Sequence, residues 1–225
     1  MKALAIIKDI DVNNTEPFNV SLMPKERQER VELFTDKKKR KRFLATEQAA
    51  SQFAAISFGI PVSNFNGGIG EKPYLKDYPD ISVSRSYAGE YIVIAAECSY
   101  NIGIDCEAVQ EFNKNIVKYF FTHRESEYIE SSKDRNTAFT LLWTRKESFI
   151  KCIGRGIDYP INTIDVTPRE DIDNIHSVRP IFSENDKVND YYINSYIFEK
   201  LVISVCSDNN DAFPILDHIY KGAVR

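Results

Sequence analysis

The sequence has few of the features that mark exported, membrane-bound or nucleic-acid-binding proteins. No apolar run in its 225 residues is long enough to span a bilayer, and the apolar N-terminal stretch is too short for a signal peptide. The four cysteines show no paired or metal-ligand spacing, as is usual in a reducing compartment. A net charge of −4 provides no global attraction to nucleic acid. We therefore expect a cytoplasmic protein with no membrane partner and no nucleic-acid partner.

Histidine is also scarce, and none of the three histidines is an obvious catalytic base. Hydrophobic residues make up 43% of the chain and charged residues 28%, which is ordinary for a globular protein with a sizeable core. The apolar patterns and the glycine and proline positions predict an α+β fold. The predicted helices cover about 25–34, 37–58 and 114–153, and the predicted strands cover the N-terminus and about 81–84, 90–97, 161–166, 191–198 and 201–205.

A faint internal repeat suggests that the chain contains two similar halves. Residues 90–94 resemble residues 199–203, and each segment lies near the end of its half. The order of helical region, loop and strands is the same in both halves. We therefore predict a pseudo-twofold duplication of two α+β lobes, residues 1–101 and 102–225, with a ligand cleft between them.

Two acidic motifs about forty residues apart carry most of the chemical information. Asp105 and Glu107 follow an apolar run and point the same way if the chain is extended. Glu147 and Lys151 are one turn apart on a predicted helix. Taken separately, the helical pair could be an exposed ion pair that contributes roughly 0.2–0.5 kcal/mol. Together, three carboxylates beside a lysine suit a hard divalent cation that bridges to a phosphate.

The N-terminal helices are rich in basic residues. Arg27 and Arg30 share a helix face, and Arg42 lies on the next predicted helix. Because the arginine fork matches phosphate oxygens, these three residues could clamp a terminal phosphate. The alternative is a solvated helix face. The run 37–42 also resembles a nucleic-acid-binding patch, which the acidic remainder of the chain disfavours.

The two acidic motifs together resemble the signature of the larger, Sfp-type 4′-phosphopantetheinyl transferases. Residues 102–107 match an apolar-Gly-apolar-Asp-x-Glu segment, and residues 143–151 match a Trp-x-x-Lys-Glu-Ser-x-x-Lys helix. Residues 70–73, 82–86 and 154–160 resemble further family segments. The resemblance covers most of the chain from Pro24 to Pro160, and the later part matches only in pattern.

This resemblance implies an enzyme that moves the phosphopantetheine arm of coenzyme A to a serine of an apo acyl or peptidyl carrier protein and releases adenosine 3′,5′-bisphosphate. It implies Mg²⁺ held by Asp105, Glu107 and Glu147, with Glu147 or a metal-bound water as the base for the serine hydroxyl. Asp105, Glu147 and Lys151 would be the catalytic residues. The implied coenzyme A contacts are Arg27, Arg30, Arg42, Lys72, Pro73, Ser84, Arg85, Lys146 and Lys151.

One substitution and one surface add to this expectation. Arg85 stands where the family has a histidine, so the position keeps a cation but cannot supply a base.

The family binds its carrier after the second motif, which implies contacts from about Gly154 onward. Apolar contacts would come from Ile153, Ile157, Tyr159 and Ile161, and contacts to acidic groups from Lys151 and Arg155. A monomer is expected for the two-lobed form.

Three other functions are compatible with the residues. The chain could be a non-catalytic paralogue that binds coenzyme A or a carrier protein. Arg85 in place of the family histidine would then be the substitution that distinguishes it. It could be another Mg²⁺-dependent phosphotransferase that uses the same carboxylates. It could be a nucleic-acid-binding module that uses residues 37–42. Whether the carriers belong to fatty-acid, polyketide or peptide synthesis stays open.

Overall fold

The computed structural model describes residues 2–8, 20–156, 159–168 and 191–210. The helices are α1 (Lys25–Glu32), α2 (Lys37–Phe58), α3 (Lys114–Phe120), α4 (His123–Ser131) and α5 (Arg135–Ile153). The strands are β1 (Lys2–Lys8), β2 (Phe65–Asn66), β3 (Tyr74–Leu75), β4 (Ile81–Ala88), β5 (Tyr91–Cys98), β6 (Ile102–Ala108), β7 (Tyr192–Phe198) and β8 (Leu201–Ser207). The predicted α+β class is confirmed. Each helix in these ranges is too short or too polar to cross a bilayer.

Capping residues explain where the predicted helices begin and break. Asp36 accepts hydrogen bonds from the backbone N–H groups of Lys38 and Lys39 and so starts α2. The single long helix predicted for 114–153 is wrong because Thr122 and Glu125 form a capping box that starts α4. The predicted strand at 161–166 is also wrong, since Ile161–Thr163 form a short 3₁₀ helix.

The two three-stranded sheets have the same antiparallel topology. One sheet has the order β1-β5-β4 and the other β6-β8-β7, so the last strand of each half lies in the centre. The central strand forms a hairpin with the strand before it in both sheets. The turn residues Gly89 and Glu199 both have positive φ angles, 58° and 53°. This correspondence agrees with two similar lobes, whereas their common origin and the boundary after residue 101 stay predictions.

Three apolar clusters hold the sheets and helices together. Helix α2 packs through small residues such as Ala50 on one face of the N-terminal sheet. Helix α5 packs through residues such as Phe149 against the C-terminal sheet. The third cluster lies between the sheets and includes Val93, Ile104 and Ile203. The two lobes therefore share this third apolar cluster at their junction.

The edge strands β4 and β6 also meet through serine side chains. The hydroxyl oxygens of Ser82 and Ser84 accept hydrogen bonds from the backbone N–H groups of Ile102 and Ile104, at 3.2 and 3.0 Å. These bonds satisfy N–H groups on the free edge of β6. They fix β4 beside β6, where the acidic motif lies.

Candidate active site at the junction of the lobes

A glycine lets helix α5 lie directly on strand β6. A Cβ atom at Gly103 would lie 2.1 Å from the carbonyl oxygen of Ser148 and 2.3 Å from the backbone nitrogen of Cys152. Any larger residue would therefore have to push the helix away from the strand. Because of this close approach, Asp105, two residues further along β6, reaches Lys151 on the last turn of α5.

Asp105 is the centre of a hydrogen-bonded group formed by both lobes. The Lys151 ammonium group donates to Asp105 Oδ1 at 2.6 Å, and the Ser86 hydroxyl donates to the same oxygen at 2.8 Å. Lys151 Nζ also donates to Ser86 Oγ at 3.2 Å. Within the described part of the chain, the buried Asp105 Oδ2 has no hydrogen-bond partner. One carboxylate oxygen is therefore fixed by two donors, and the other is buried without a donor among the described residues.

The negative charge of Asp105 acts on the pKa of the two other motif carboxylates, Glu107 and Glu147. Burial raises the pKa of Glu147, and the negative charge of Asp105 raises it further. The pKa of Glu107 is raised by burial and then by Asp105, with a smaller contribution from Glu147. Burial alone would lower the pKa of Lys151, but Asp105 and then Glu147 outweigh this effect, so its pKa is raised. The three carboxylates thus form one electrostatic group beside a charged lysine.

The arrangement fits a hard cation in its chemistry but is not a complete ligand cage. Among the residues that the structure describes, no three His, Cys, Asp or Glu side chains are placed to hold a metal ion together. Lys151 occupies one oxygen of Asp105, and Gln110 donates to Glu107 Oε2 at 3.0 Å. The oxygen donors and the unpartnered Asp105 Oδ2 are nevertheless those that suit Mg²⁺. Binding of Mg²⁺ by Asp105, Glu107 and Glu147 stays a prediction.

Arginines from α1 and β4 meet in a second charged group. Arg27 and Arg30 of α1 both lie over the ring of Phe43, at 5.2 and 5.7 Å from its centroid. Arg85 of β4 lies over the ring of Phe65 at 4.3 Å. Burial lowers the pKa of Arg85 well below its usual value, and the positive charges of Arg27 and Arg30 add to this. The structure therefore brings together three of the four arginines that the sequence indicated.

Glu47 of α2 joins this group and was missed by the sequence analysis. Arg27 donates from one terminal nitrogen to Glu47 Oε1 at 2.7 Å, and Arg85 donates to the same oxygen. Arg27 also donates to the Gly67 carbonyl at 3.2 Å and is fully buried. The only sequence signal for Glu47 is its i,i+4 spacing from Phe43 on α2. We call Arg27, Arg30, Glu47 and Arg85 the arginine cluster.

Arg42 lies beside this cluster rather than within it. Its guanidinium group is 5.2 Å from the centroid of the Tyr87 ring, and Tyr87 points to the same face of β4 as Arg85. The side chain of Arg42 is half-buried. It can therefore extend the positive surface that begins at Arg85.

Lys146 lies away from both groups, inside the C-terminal lobe. Its ammonium group donates to the carbonyl oxygens of Ile161 and Ile164, at 2.9 and 2.6 Å, and pairs with Glu125 at 2.8 Å. All three N–H donors are thus used, and the side chain is fully buried. This position does not agree with the predicted coenzyme A contact and instead gives Lys146 a structural role.

Three further predicted contacts have structural partners. Ser84 accepts a hydrogen bond from β6, as described above. Lys72 donates to the carbonyl oxygen of Cys152 at 2.9 Å and to Asn101 Oδ1 at 3.3 Å, so it ties its loop to the end of α5. Pro73 packs on Gly67, whose carbonyl group binds Arg27. These residues shape the loop beside the arginine cluster, and direct ligand contacts from them stay predictions.

Part of the predicted carrier-binding segment is wrong. Tyr159 and Ile161 are buried in the core of the C-terminal lobe and cannot offer an apolar surface to a partner. Ile153 is half-buried against the same core, and Ile157 lies outside the described residues. Arg155 is exposed. Buried side chains were predicted as surface because an alternating pattern does not say which side of a loop faces the core.

Cys106 is a core residue and not a member of the acidic group. It lies between Asp105 and Glu107 but points into the apolar cluster between the sheets and is fully buried. Burial raises the pKa of its thiol to about 12, with the charge of Asp105 as a further cause. It therefore remains a neutral core residue and not a metal ligand.

Comparisons with known proteins agree on one family. The family model for the 4′-phosphopantetheinyl transferase superfamily matches residues 101–206. The chain is 32% identical over 150 residues to a 4′-phosphopantetheinyl transferase of Bacillus subtilis, which is 65% of this chain and 66% of the relative. It is 29% identical over 194 residues to the transferase gsp of Aneurinibacillus migulanus, with 84% of this chain and 78% of the relative covered.

A human relative extends the range of organisms. The chain is 29% identical over 188 residues to the L-aminoadipate-semialdehyde dehydrogenase-phosphopantetheinyl transferase of Homo sapiens, with 74% of this chain and 60% of the relative covered. Two further Bacillus subtilis transferases, Sfp and ffp, are each matched over only 45% of their length. The chain therefore matches between about half and three quarters of the length of these relatives.

Proposed function

The chain belongs to the 4′-phosphopantetheinyl transferase superfamily, and on this premise we propose that it transfers the 4′-phosphopantetheine group of coenzyme A to a serine of an apo acyl or peptidyl carrier protein. The observation that carries the proposal is the group around Asp105. Lys151 and Ser86 fix one oxygen of this carboxylate, the other oxygen has no partner in the described residues, and two further carboxylates interact with it.

The reaction requires charge neutralisation more than covalent help from the protein. The serine oxygen forms a bond to the phosphorus next to the pantetheine arm, and the bond from that phosphorus to the bridging oxygen breaks. The electron pair leaves with adenosine 3′,5′-bisphosphate. Lys151 would donate to the pyrophosphate oxygens, where negative charge increases. The raised pKa of Lys151 favours the protonated form that this donation requires.

The proton of the serine hydroxyl needs an acceptor. Glu147 is our candidate, directly or through a water molecule, because burial and Asp105 raise its pKa and make it a stronger base than an ordinary glutamate. Mg²⁺ bound by Asp105, Glu107 and Glu147 would neutralise charge on the pyrophosphate. Ser86 would hold Oδ1 of Asp105 and so leave the buried Oδ2 as the oxygen without a protein donor.

The arginine cluster would bind the 3′-phosphate of coenzyme A. Arg85 and Arg30 are the members whose side chains reach the surface, since Arg27 is fully buried. Arg42 would add a fourth positive charge from beside Tyr87. Arginine suits this role because its donors match the geometry of phosphate oxygens.

The remaining parts of the proposal concern the setting of the reaction. A monomer can hold the site, since Ser86 and Arg85 from one lobe and Asp105 and Lys151 from the other come from a single chain. The four cysteines are free, which is compatible with a reducing cytoplasm.

The test is incubation with coenzyme A, Mg²⁺ and apo carrier proteins of the acyl and peptidyl type. The expected result is a gain in the carrier mass by one phosphopantetheine group, read by intact mass spectrometry. A carrier whose acceptor serine is replaced by alanine should gain nothing. Asp105→Asn should abolish most of the transfer, whereas the exposed Asp80→Asn serves as the matched control and should not.

Two outcomes would contradict the proposal in different ways. Binding of coenzyme A without any transfer would favour a non-catalytic paralogue. Absence of both binding and transfer would favour another phosphotransferase that uses the same carboxylates.

A further inference from the structure

The arginine cluster contains a carboxylate in a place where a phosphate-binding site has no need of one. Glu47 is 2% exposed, and its Oε1 accepts from Arg27 at 2.7 Å and also from Arg85. Arg27 is fully buried, and Arg85 is 10% exposed. A negative charge at this depth acts on its surroundings through a low effective dielectric constant. It therefore affects the energy of any anion that binds nearby.

The charges of the cluster do not balance without a ligand. Arg27, Arg30 and Arg85 interact with one another as like charges, and Glu47 is the carboxylate that pairs with two of them. Both guanidinium groups share a single oxygen of Glu47, while the buried Oε2 has no hydrogen-bond partner in the described part of the chain. The pair is thus a shared ion contact and not the two-bond fork of an arginine–carboxylate pair.

The orientation of the two arginines does not depend on Glu47 alone. Arg85 stacks on Phe65, with the guanidinium carbon 4.3 Å from the ring centroid. Arg27 lies over Phe43 and donates to the Gly67 carbonyl group at 3.2 Å. Since other contacts hold both side chains, the main contribution of Glu47 is its charge.

We propose that Glu47 is the internal counter-anion of the arginine cluster and competes with a bound phosphomonoester for Arg85. In the free protein its carboxylate offsets the repulsion among the buried guanidinium groups. When a phosphomonoester dianion binds to Arg85 and Arg30, the same carboxylate repels it and lowers its affinity. Glu47 is thereby a specificity-determining residue that sets how strongly this subsite holds a phosphate. The proposal rests on the proposed function in taking coenzyme A as the ligand.

The experiment uses Glu47→Gln, which keeps an oxygen acceptor for the arginines but removes the charge. Titration calorimetry with coenzyme A should give binding about tenfold tighter than in the parent protein. Dephospho-coenzyme A, which lacks the 3′-phosphate, should bind the parent and the variant with equal affinity. The ligand-free variant should melt several degrees below the parent. The exposed Glu29→Gln on α1 is the matched control and should change neither quantity.

If Glu47 had only a positioning role, Glu47→Gln would not tighten the binding of coenzyme A. If Glu47 only orients the arginines, then Glu47→Gln would bind coenzyme A more weakly or equally, and this result would overturn the proposal. An unchanged or higher melting temperature without ligand would overturn it as well.

A second variant and a second ligand keep the test independent of the proposed function. In an Arg85→His background the cluster has one guanidinium group fewer, so the loss of stability from Glu47→Gln should shrink. Inorganic phosphate should raise the melting temperature of Glu47→Gln more than that of the parent, because it replaces the missing anion. If the parent does not bind coenzyme A, the proposed function fails. A missing recovery by phosphate would instead overturn the role of Glu47.

Discussion

At the scale of single residues, the two lysines of the second motif have opposite environments. Lys151 is 32% exposed and bonds to Asp105 and Ser86 at the junction of the lobes. Lys146 is fully buried and uses all its donors on Glu125 and two carbonyl groups. Both lysines lie on the same short stretch of α5, but helical positions five residues apart point in different directions. One lysine is therefore available for chemistry and the other for structure.

We expect Lys151→Ala to lower turnover much more than stability. The lost contact with a charged phosphate should cost roughly 1.5–3 kcal/mol, which corresponds to about ten- to hundredfold in kcat/KM. The cost in stability should be smaller than for Lys146, because Lys151 is 32% exposed and Ser86 still donates to Asp105. Steady-state kinetics and a thermal melt of the same variant provide the comparison. Normal kinetics with a lower melting temperature would mean that Lys151 is only an ion-pair partner.

The opposite pattern is expected for Lys146→Ala. This change leaves Glu125 buried without its cation and frees the carbonyl groups of Ile161 and Ile164. Breaking a buried pair from one side costs about 3–5 kcal/mol. Denaturant unfolding should record this loss, whereas the fraction that is still folded should bind coenzyme A with the parent affinity. A stable variant with weakened coenzyme A binding would instead support the predicted contact between Lys146 and coenzyme A.

At the scale of elements, the local sequence pattern predicted the helix and strand positions of the motif residues, but it did not predict contacts across the fold. The motif residues Asp105 and Lys151 could be placed on a strand and a helix because periodicity and spacing are local properties. The partners Glu47 and Ser86 could not be assigned, since their meaning comes from contacts with Arg27, Arg85 and Asp105 across the fold. The apolar run at 161–166 favours a strand, but it forms a turn whose carbonyl groups bind Lys146.

Gly103 determines the contact between helix α5 and strand β6. We expect Gly103→Ala to destabilise the fold by about 1–3 kcal/mol or more, because the new Cβ would meet backbone atoms that cannot rotate away. It should also reduce activity in the folded fraction, since it shifts Lys151 away from Asp105. Gly68→Ala is the matched control, because a Cβ there meets only side-chain atoms at ordinary contact distance, the Glu71 carboxylate at 3.7 Å and Glu26 Cβ at 4.0 Å. Equal melting temperatures for the two variants would contradict the role given to Gly103.

At the scale of the whole molecule, the site depends on how the two lobes are held together. Glu97 at the end of β5 is fully buried and accepts from Ser207 Oγ at 2.6 Å and from Asn209 Nδ2 at 2.8 Å. Nearby, Ser82 is the register partner of Glu97, and Ser82 and Ser84 accept hydrogen bonds from the N–H groups of Ile102 and Ile104 on β6. Polar contacts thus connect the lobes beside the apolar cluster that lies between the sheets.

Glu97 allows this connection between the lobes to be tested without a change in the candidate active site. In Glu97→Gln one oxygen becomes an N–H donor, so either Ser207 or Asn209 loses its acceptor inside the protein. An unsatisfied buried donor costs about 1–3 kcal/mol, which for a chain of this size lowers the melting temperature by roughly 2–4 °C per kcal/mol. Hydrogen exchange should accelerate at the amides of Ile102 and Ile104, because their serine acceptors belong to the other lobe. The exposed Glu111→Gln should leave both quantities at the parent value. If Glu97→Gln lowers the melting temperature while these two amides exchange as before, the lobes separate only on global unfolding, and Glu97 stabilises one cooperative unit.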